Sequence, residues 1–121
     1  MAKTILVIDD SPDFLELATM TLEGAGYAVQ VAEGAAEATE ILEEIRPDAI
    51  LLDIMMPERN GLEFLENLRW DSRFEGVPVV VITAMSLEPE EREFVNAFSA
   101  ACLKKSEAAQ LPKHLSQLIS K

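Results

Sequence analysis

A chain of 121 residues suits one domain, and 49% hydrophobic with 26% charged side chains is an ordinary globular composition. The net charge of −12 is concentrated in residues 1–60, which hold 13 acids and 3 bases against 9 and 7 in the remainder. Such a surface repels phosphate backbones, so direct nucleic-acid binding is not expected; no apolar run nears the ~20 residues of a bilayer span; and a single cysteine, Cys102, excludes an internal disulfide.

Met-Ala-Lys-Thr leads straight into the first apolar run, which argues for a cytoplasmic protein. Thr4 to Asp9 reads as a strand by its Ile and Val content. Ser11-Pro12 then marks a helix start, with Ser11 as N-cap and Pro12 at the first helical position. Leu15, Ala18, Leu22 and Ala25 recur at helical spacing, and Gly24 and Gly26 end that helix. Ala28 to Ala32 is a short strand. Ala38, Ile41, Leu42 and Ile45 predict a helix over about Ala35 to Ile45, stopped by Pro47. Glu33, Glu37, Glu40, Glu43 and Glu44 are expected on its solvated face.

A third strand runs from Asp48 to Asp53, and the loop through Met56-Pro57 and Asn60-Gly61 leads to a helix built on Leu62, Leu65 and Leu68. Val77 to Thr83 is the fourth strand, too uniformly apolar to have one wet face. A helix follows from about Glu88 to Phe98. Ala100 to Lys104 is the weakest strand. Glu107 to Ser120 closes the chain as a helix with Leu111, Leu115, Leu118 and Ile119 inward, and Pro112 fits it only within the first turn.

Apolar strands alternating with amphipathic helices imply a parallel sheet covered on both faces. Right-handed crossovers place every strand's C-terminal end on one edge, where ligands bind in such folds. Asp9, Asp10, Asp53, Thr83 and Lys105 all fall at or just after strand ends, so the five are expected to converge. A carboxylate at the end of a buried strand is costly and asks for a chemical reason. Three of them delivered to one edge make a hard-cation site beside a possible nucleophile.

The Asp9-Asp10 pair, Asp53 with Met56-Pro57 and Gly61 behind it, Thr83-Ala84 and Leu103-Lys104-Lys105 together resemble the receiver domain of two-component response regulators. The match runs from Thr4 to Ile119. It implies one flavodoxin-like (βα)5 domain over residues 1–121, sheet order 2-1-3-4-5; no output domain is expected on this chain, which is either a stand-alone regulator or a receiver cut from a larger protein. It also implies that Asp53 is the phosphoacceptor, attacking a phosphohistidine of a sensor histidine kinase or a histidine phosphotransfer protein. Mg²⁺ is the implied cofactor, with Asp10 and Asp53 as direct ligands, Asp9 acting through water and the Met55 carbonyl as a further ligand. Lys105 would contact Asp53 and then the phosphoryl group, and Thr83 would sense it, with small Ala84 leaving the approach open. Switched protein contacts are expected on the face formed by the fourth helix, fifth strand and fifth helix, in a monomer or a phosphorylation-dependent dimer.

Departures from the family pattern gather near the C-terminus. Ser106 stands where a cis-proline is usual, so a trans Lys105–Ser106 bond is expected, since a non-proline cis bond costs ~3 kcal/mol. Cys102 stands where an aromatic commonly couples to the threonine. Phe98 replaces a common glycine, and Ala100-Ala101 a common acidic turn. Met55 and Met85, two residues beyond Asp53 and Thr83, offer nothing to orient an attacking water, which predicts slow self-hydrolysis of the acyl phosphate. Adaptable packing is the plainer reading of both.

Other residues have structural readings. Cys102 is expected as a buried inert thiol, His114 as solvent-exposed, and Trp70 as a cap on the core. Phe94, Val95 and Phe98 are core by default, although they could form part of an interaction face. Two rival functions stand beside the receiver. One is a phosphorylation-independent interaction module, favoured by Cys102 and Ser106. The other is an aspartyl-phosphate phosphohydrolase, which would need an acid where Met55 stands.

Overall fold

The computed structural model describes residues 2–55, 61–84 and 87–119. Five parallel strands form one sheet in the order β2-β1-β3-β4-β5: β1 (Thr4–Ile8), β2 (Ala28–Ala32), β3 (Ala49–Asp53), β4 (Val79–Thr83) and β5 (Ala101–Lys104). Helices α1 (Pro12–Gly24), α2 (Ala35–Leu42), α3 (Gly61–Trp70), α4 (Pro89–Phe98) and α5 (Leu111–Leu118) alternate with them. The expected alternation and strand order are therefore present.

Side-chain alternation along the strands divides the core into two layers. Ile5, Val7, Ala49, Leu51, Val80, Ile82 and Leu103 pack with Leu15, Ala18 and Leu22 of α1 and Leu111 and Leu115 of α5. Leu6, Ile8, Ile50, Leu52, Val79 and Val81 pack with α2, α3 and α4 through Ala38, Leu42, Phe64, Leu65, Leu68 and Val95. Every residue of β3 and β4 is buried, as a strand covered on both faces requires.

Register aligns the strand ends. Ile8 pairs with Leu52, so Asp9 and Asp53 stand level one residue further on. Asp53 pairs with Ile82, and Thr83 with Lys104. The lower end of the sheet is pinned by Asp48, whose carboxylate accepts the Thr4 N–H at 2.7 Å while its own N–H donates to Thr4 O at 2.8 Å. That exchange uses Asp48 as an anchor, and β3 begins at Ala49 instead of the expected Asp48.

Local hydrogen bonding explains the other shifted boundaries. Ser11 caps α1 as expected, its hydroxyl accepting the Phe14 N–H at 3.3 Å, and Gly26 at φ +99° follows the helix in the left-handed region. Helix α2 stops at Leu42, not Ile45, because the Glu43 N–H is shared between Thr39 O and Glu40 O and the Glu44 N–H bonds Ile41 O. Those i→i+3 bonds tighten the last turn before Pro47 is reached. The five glutamates expected on that helix's wet face are all exposed, although Glu33, Glu43 and Glu44 flank the helix itself.

The largest correction is at the C-terminus. Residues Lys105–Gln110 form a 3-10 segment with a non-helical Glu107 (φ −101°, ψ 19°), and α5 begins only at Leu111. Pro112 has no N–H and its ring would clash with the carbonyl of Ala108, so an α-helix cannot run through from Glu107. It sits instead in the first turn of α5, the one place it fits. The Lys105–Ser106 bond is trans, as expected.

Trp70 does not cap the core: it is 74% exposed. Inward positions on α3 are Gly61, Phe64, Leu65 and Leu68, and a residue two beyond Leu68 points roughly the opposite way. Phe74, in a 3-10 turn at Ser72–Phe74, takes the buried place. Trp70 meets Phe98 edge-on at 6.5 Å, and Phe98 meets Phe94 at 4.8 Å, both phenylalanines being half-buried with only Val95 fully inside. His114 is likewise half-buried rather than exposed.

Candidate phosphoryl and metal site

Four of the five residues expected to converge, Asp9, Asp10, Asp53 and Lys105, meet at one end of the sheet, and Asp9, Asp53 and Lys105 reach it from the layer covered by α1 and α5. By alternation Asp9 follows Val7 and Asp53 follows Leu51 onto that side, and Lys105 follows Leu103. Lys105 Nζ lies 2.8 Å from Asp9 Oδ2 and 3.4 Å from Asp53 Oδ2. The lysine was expected to meet Asp53; it bridges the two acids and sits closer to Asp9.

Each buried carboxylate is held by a backbone amide two residues on, the geometry of an Asx turn. The Ser11 N–H donates to Asp9 Oδ1 at 2.8 Å, and the Met55 N–H donates to Asp53 Oδ1 at 2.9 Å. Asp10 is exposed beside them, and one carboxylate oxygen of each acid lies within 4.8 Å of the others. Asp9 is only 1% exposed, and among the described residues the Lys105 ammonium is what compensates its Oδ2.

The charge balance is strained in the direction that favours a cation. Burial pushes the Asp9 carboxyl above its ordinary range, and the neighbouring Asp53 charge adds to this, outweighing Lys105 and the Ser11 N–H. Burial draws the Lys105 ammonium downward, but its pairing with Asp9 and Asp53 more than offsets that and leaves it raised. An all-oxygen set of three acids, two of them buried and sharing one ammonium, fits a hard divalent cation. Met55, expected to contribute its carbonyl, stands two residues beyond Asp53 in this loop and is half-exposed.

Thr83 ends β4 one residue beyond the Asp53–Ile82 pair, buried, and alternation places it on the α4 side. There it lines a cleft of about 110 Å³ with Leu87, Arg92, Cys102, Lys104 and Glu107. Cys102 is half-buried, and burial raises its thiol while the Arg92 charge opposes the shift. Ala84 is exposed at the start of the following loop. Met56, Pro57, Asn60 and Met85 lie outside the described residues.

Two further residues shape the site. Gly61 opens α3 so close to the end of β3 that an added Cβ would stand 2.3 Å from Ile54 Cα, and its N–H donates to Ile54 O at 3.2 Å. Its place behind Asp53 was legible as a motif glycine, and the reason is this main-chain approach. Phe14, not singled out in the sequence, holds its ring 4.9 Å from Lys105 Nζ. Its position four residues after Asp10 was the available signal.

Comparison with known proteins agrees with this arrangement. The response regulator receiver domain model matches residues 5–116. The DNA-binding response regulator MtrA of Mycolicibacterium smegmatis is 42% identical over 84 residues, covering 69% of this chain and 36% of MtrA. Response regulator Rre1 of Synechocystis is 39% identical over 85 residues, 69% of this chain and 37% of Rre1. The chain thus spans about a third of the length of these relatives. Among solved structures, the Vibrio cholerae chemotaxis protein CheY4 superposes with a TM-score of 0.89 at 28% identity, covering 98% of this chain and all of CheY4. The N-terminal domain of a response regulator receiver protein from Methanoculleus marisnigri gives 0.79 at 34% identity, covering 100% and 99%. With its parallel sheet in the 2-1-3-4-5 order and its acids at the strand ends, the chain belongs to the response regulator receiver domain family.

Proposed function

We propose that this receiver accepts a phosphoryl group on Asp53 from a phosphohistidine of a sensor kinase or phosphotransfer protein. One observation carries the reading: a buried carboxylate, fixed by the Met55 N–H, faces an ammonium and two more acids at the ligand-binding edge of the sheet. Asp53 Oδ1 is fixed by that N–H, and Oδ2, the oxygen turned toward the Lys105 ammonium, is the attacking oxygen. Its bond to phosphorus forms as the P–N bond breaks, and the histidine nitrogen leaves with the bonding pair. Asp10, Asp53 and the Met55 carbonyl would hold Mg²⁺ directly and Asp9 through water, and the ion would supply charge neutralisation to the phosphoryl oxygens.

Lys105 then turns from Asp53 Oδ2 to a phosphoryl oxygen, and the Thr83 hydroxyl bonds another, which links the site to the cleft below Cys102. The modified state shifts a two-state population toward new protein contacts through α4, β5 and α5. The unit is a signalling module that acts in the cytoplasm, as a monomer or a dimer formed on phosphorylation. No helix among the described residues is long and apolar enough to cross a membrane.

Incubation with Mg²⁺ and acetyl phosphate, followed by intact mass, tests the assignment. A single added phosphate in the wild type, lost in Asp53→Asn and in EDTA, is the expected result. An unmodified wild type would instead support the interaction module, and continuous release of phosphate the phosphohydrolase.

A further inference from the structure

The Lys105 ammonium has a third neighbour that its role toward Asp53 does not explain. The Phe14 ring, 7% exposed and carried by α1, lies with its centroid 4.9 Å from Nζ. A cation at that distance from an aromatic ring is attracted by the ring quadrupole, more strongly where water is excluded, and the Lys105 side chain is only 23% exposed. Phe14 is itself fixed by the cap of α1, its N–H donating to Ser11 Oγ at 3.3 Å. The Ser11 N–H donates in turn to Asp9 Oδ1 at 2.8 Å, and Asp9 Oδ2 faces Nζ at 2.8 Å. Asp9, Ser11, Phe14 and Lys105 therefore form a closed ring of contacts around the ammonium.

On the chain's own side, Lys105 is the first residue of a 3-10 segment held by the Lys104 N–H donating to Glu107 Oε1 at 2.9 Å. Nothing in that segment directs Nζ along a four-carbon stem. Direction has to come from the groups Nζ meets: two carboxylates that draw it down and a ring that limits it on the α1 side.

We propose that Phe14 is a positioning residue for phosphoryl transfer, its ring holding the Lys105 ammonium over Asp9 and Asp53 so that it is in place for the incoming phosphoryl group. The proposal rests on the reading of Asp53 as phosphoacceptor. In the wild type the Lys105 Hε protons carry an upfield ring-current shift, measured in ¹H–¹³C spectra and assigned by comparison with Lys105→Arg. Phe14→Leu abolishes that shift and slows phosphorylation by acetyl phosphate about three- to tenfold, the range a lost cation–π contact supports. Phe14→Tyr restores both. In a Lys105→Ala background, Phe14→Leu has no further effect on the rate, because the group it positions is gone.

A wild-type Lys105 Hε without ring-current shift overturns the proposal and needs no Phe14 variant to fold. So does a Phe14→Leu loss that is equally large without Lys105, which would make the phenylalanine simply structural. Failure of Asp53 to take phosphate shows separately, as an unmodified wild type, and leaves the spectral result to decide where the ring holds the lysine.

Discussion

Lys105 stands nearer to Asp9, at 2.8 Å, than to Asp53, at 3.4 Å. Without phosphate, the lysine therefore serves chiefly to compensate the most buried acid. Lys105→Met leaves Asp9 Oδ2 without its ammonium, and an unsatisfied buried acceptor costs at least about 1–3 kcal/mol, more when it is charged. Urea unfolding in EDTA should show a loss of that size. Saturating Mg²⁺ should return more stability to the variant than to the wild type, because the cation then replaces the missing ammonium. Equal Mg²⁺ gains in the two proteins would mean that the ammonium contributes nothing to Asp9.

Asp9 gives a pH signature. Burial raises its folded-state pKa above the ordinary value, so its charged form opposes folding at neutral pH in the absence of metal. A raised acid binds protons more readily in the native state, and the native state loses stability as pH climbs from about 3.9 through the raised value. Asp9→Asn removes that penalty. In EDTA at pH 7 the variant should unfold at a higher temperature than the wild type. The gap should close as the pH falls through Asp9's folded-state value, where the wild-type carboxyl is also neutral. A gap independent of pH would assign the effect to something other than this charge.

Much of this site was legible in the sequence because a parallel sheet makes strand ends predictable. An apolar run ending in Asp9-Asp10, and another ending in Asp53, place their acids without knowledge of any helix. Side-chain direction beyond the strand was less visible. The sequence pairs Lys105 with Asp53, and its closer approach to Asp9 becomes visible only with the register that sets β1 beside β3. Thr83 ends β4 next to the Asp53–Ile82 pair, and alternation gives it the α4 side of the same strand ends. Helix ends were less legible for two reasons: Trp70 falls off the inward stripe of α3 at its last residue, and Pro112 keeps α5 from starting before Leu111.

Gly61→Ala should damage the site from behind. The new methyl would stand 2.3 Å from Ile54 Cα and 2.9 Å from Asp53 O, both main-chain atoms that no rotamer change can move. Overpacking of this kind costs about 1–3 kcal/mol. Relief requires the end of β3 to shift, and that end carries Asp53. Weaker Mg²⁺ binding by calorimetry should accompany the lower unfolding temperature. A stable variant with unchanged Mg²⁺ affinity would show that α3 and β3 separate freely.

Trp70, the chain's one tryptophan, should emit as a solvated indole and be readily quenched by acrylamide. Trp70→Ala removes only its edge contact with Phe98 and should cost about 0.5–1 kcal/mol. Phe74→Ala, four residues on and 3% exposed, should cost about 3–5 kcal/mol. Chemical unfolding of the two variants compares them directly, and a reversed order would contradict the outward phase of α3 at its last residue.

Met55 bears on how long the phosphorylated state persists. Its N–H fixes Asp53 Oδ1 at 2.9 Å, while its side chain is 51% exposed at the mouth of the site. A thioether accepts hydrogen bonds only weakly and cannot align a water for attack on phosphorus, so the acyl phosphate should hydrolyse slowly. Met55→Asn and Met55→Glu retain the backbone N–H and add a polar group where such a water would stand. Both should shorten the lifetime several-fold, followed as loss of the phosphorylated mass after the donor is removed. Mg²⁺ affinity should stay close to the wild-type value in Met55→Asn, because the backbone carbonyl is retained. An unchanged lifetime in both variants would return Met55 to a plain packing role.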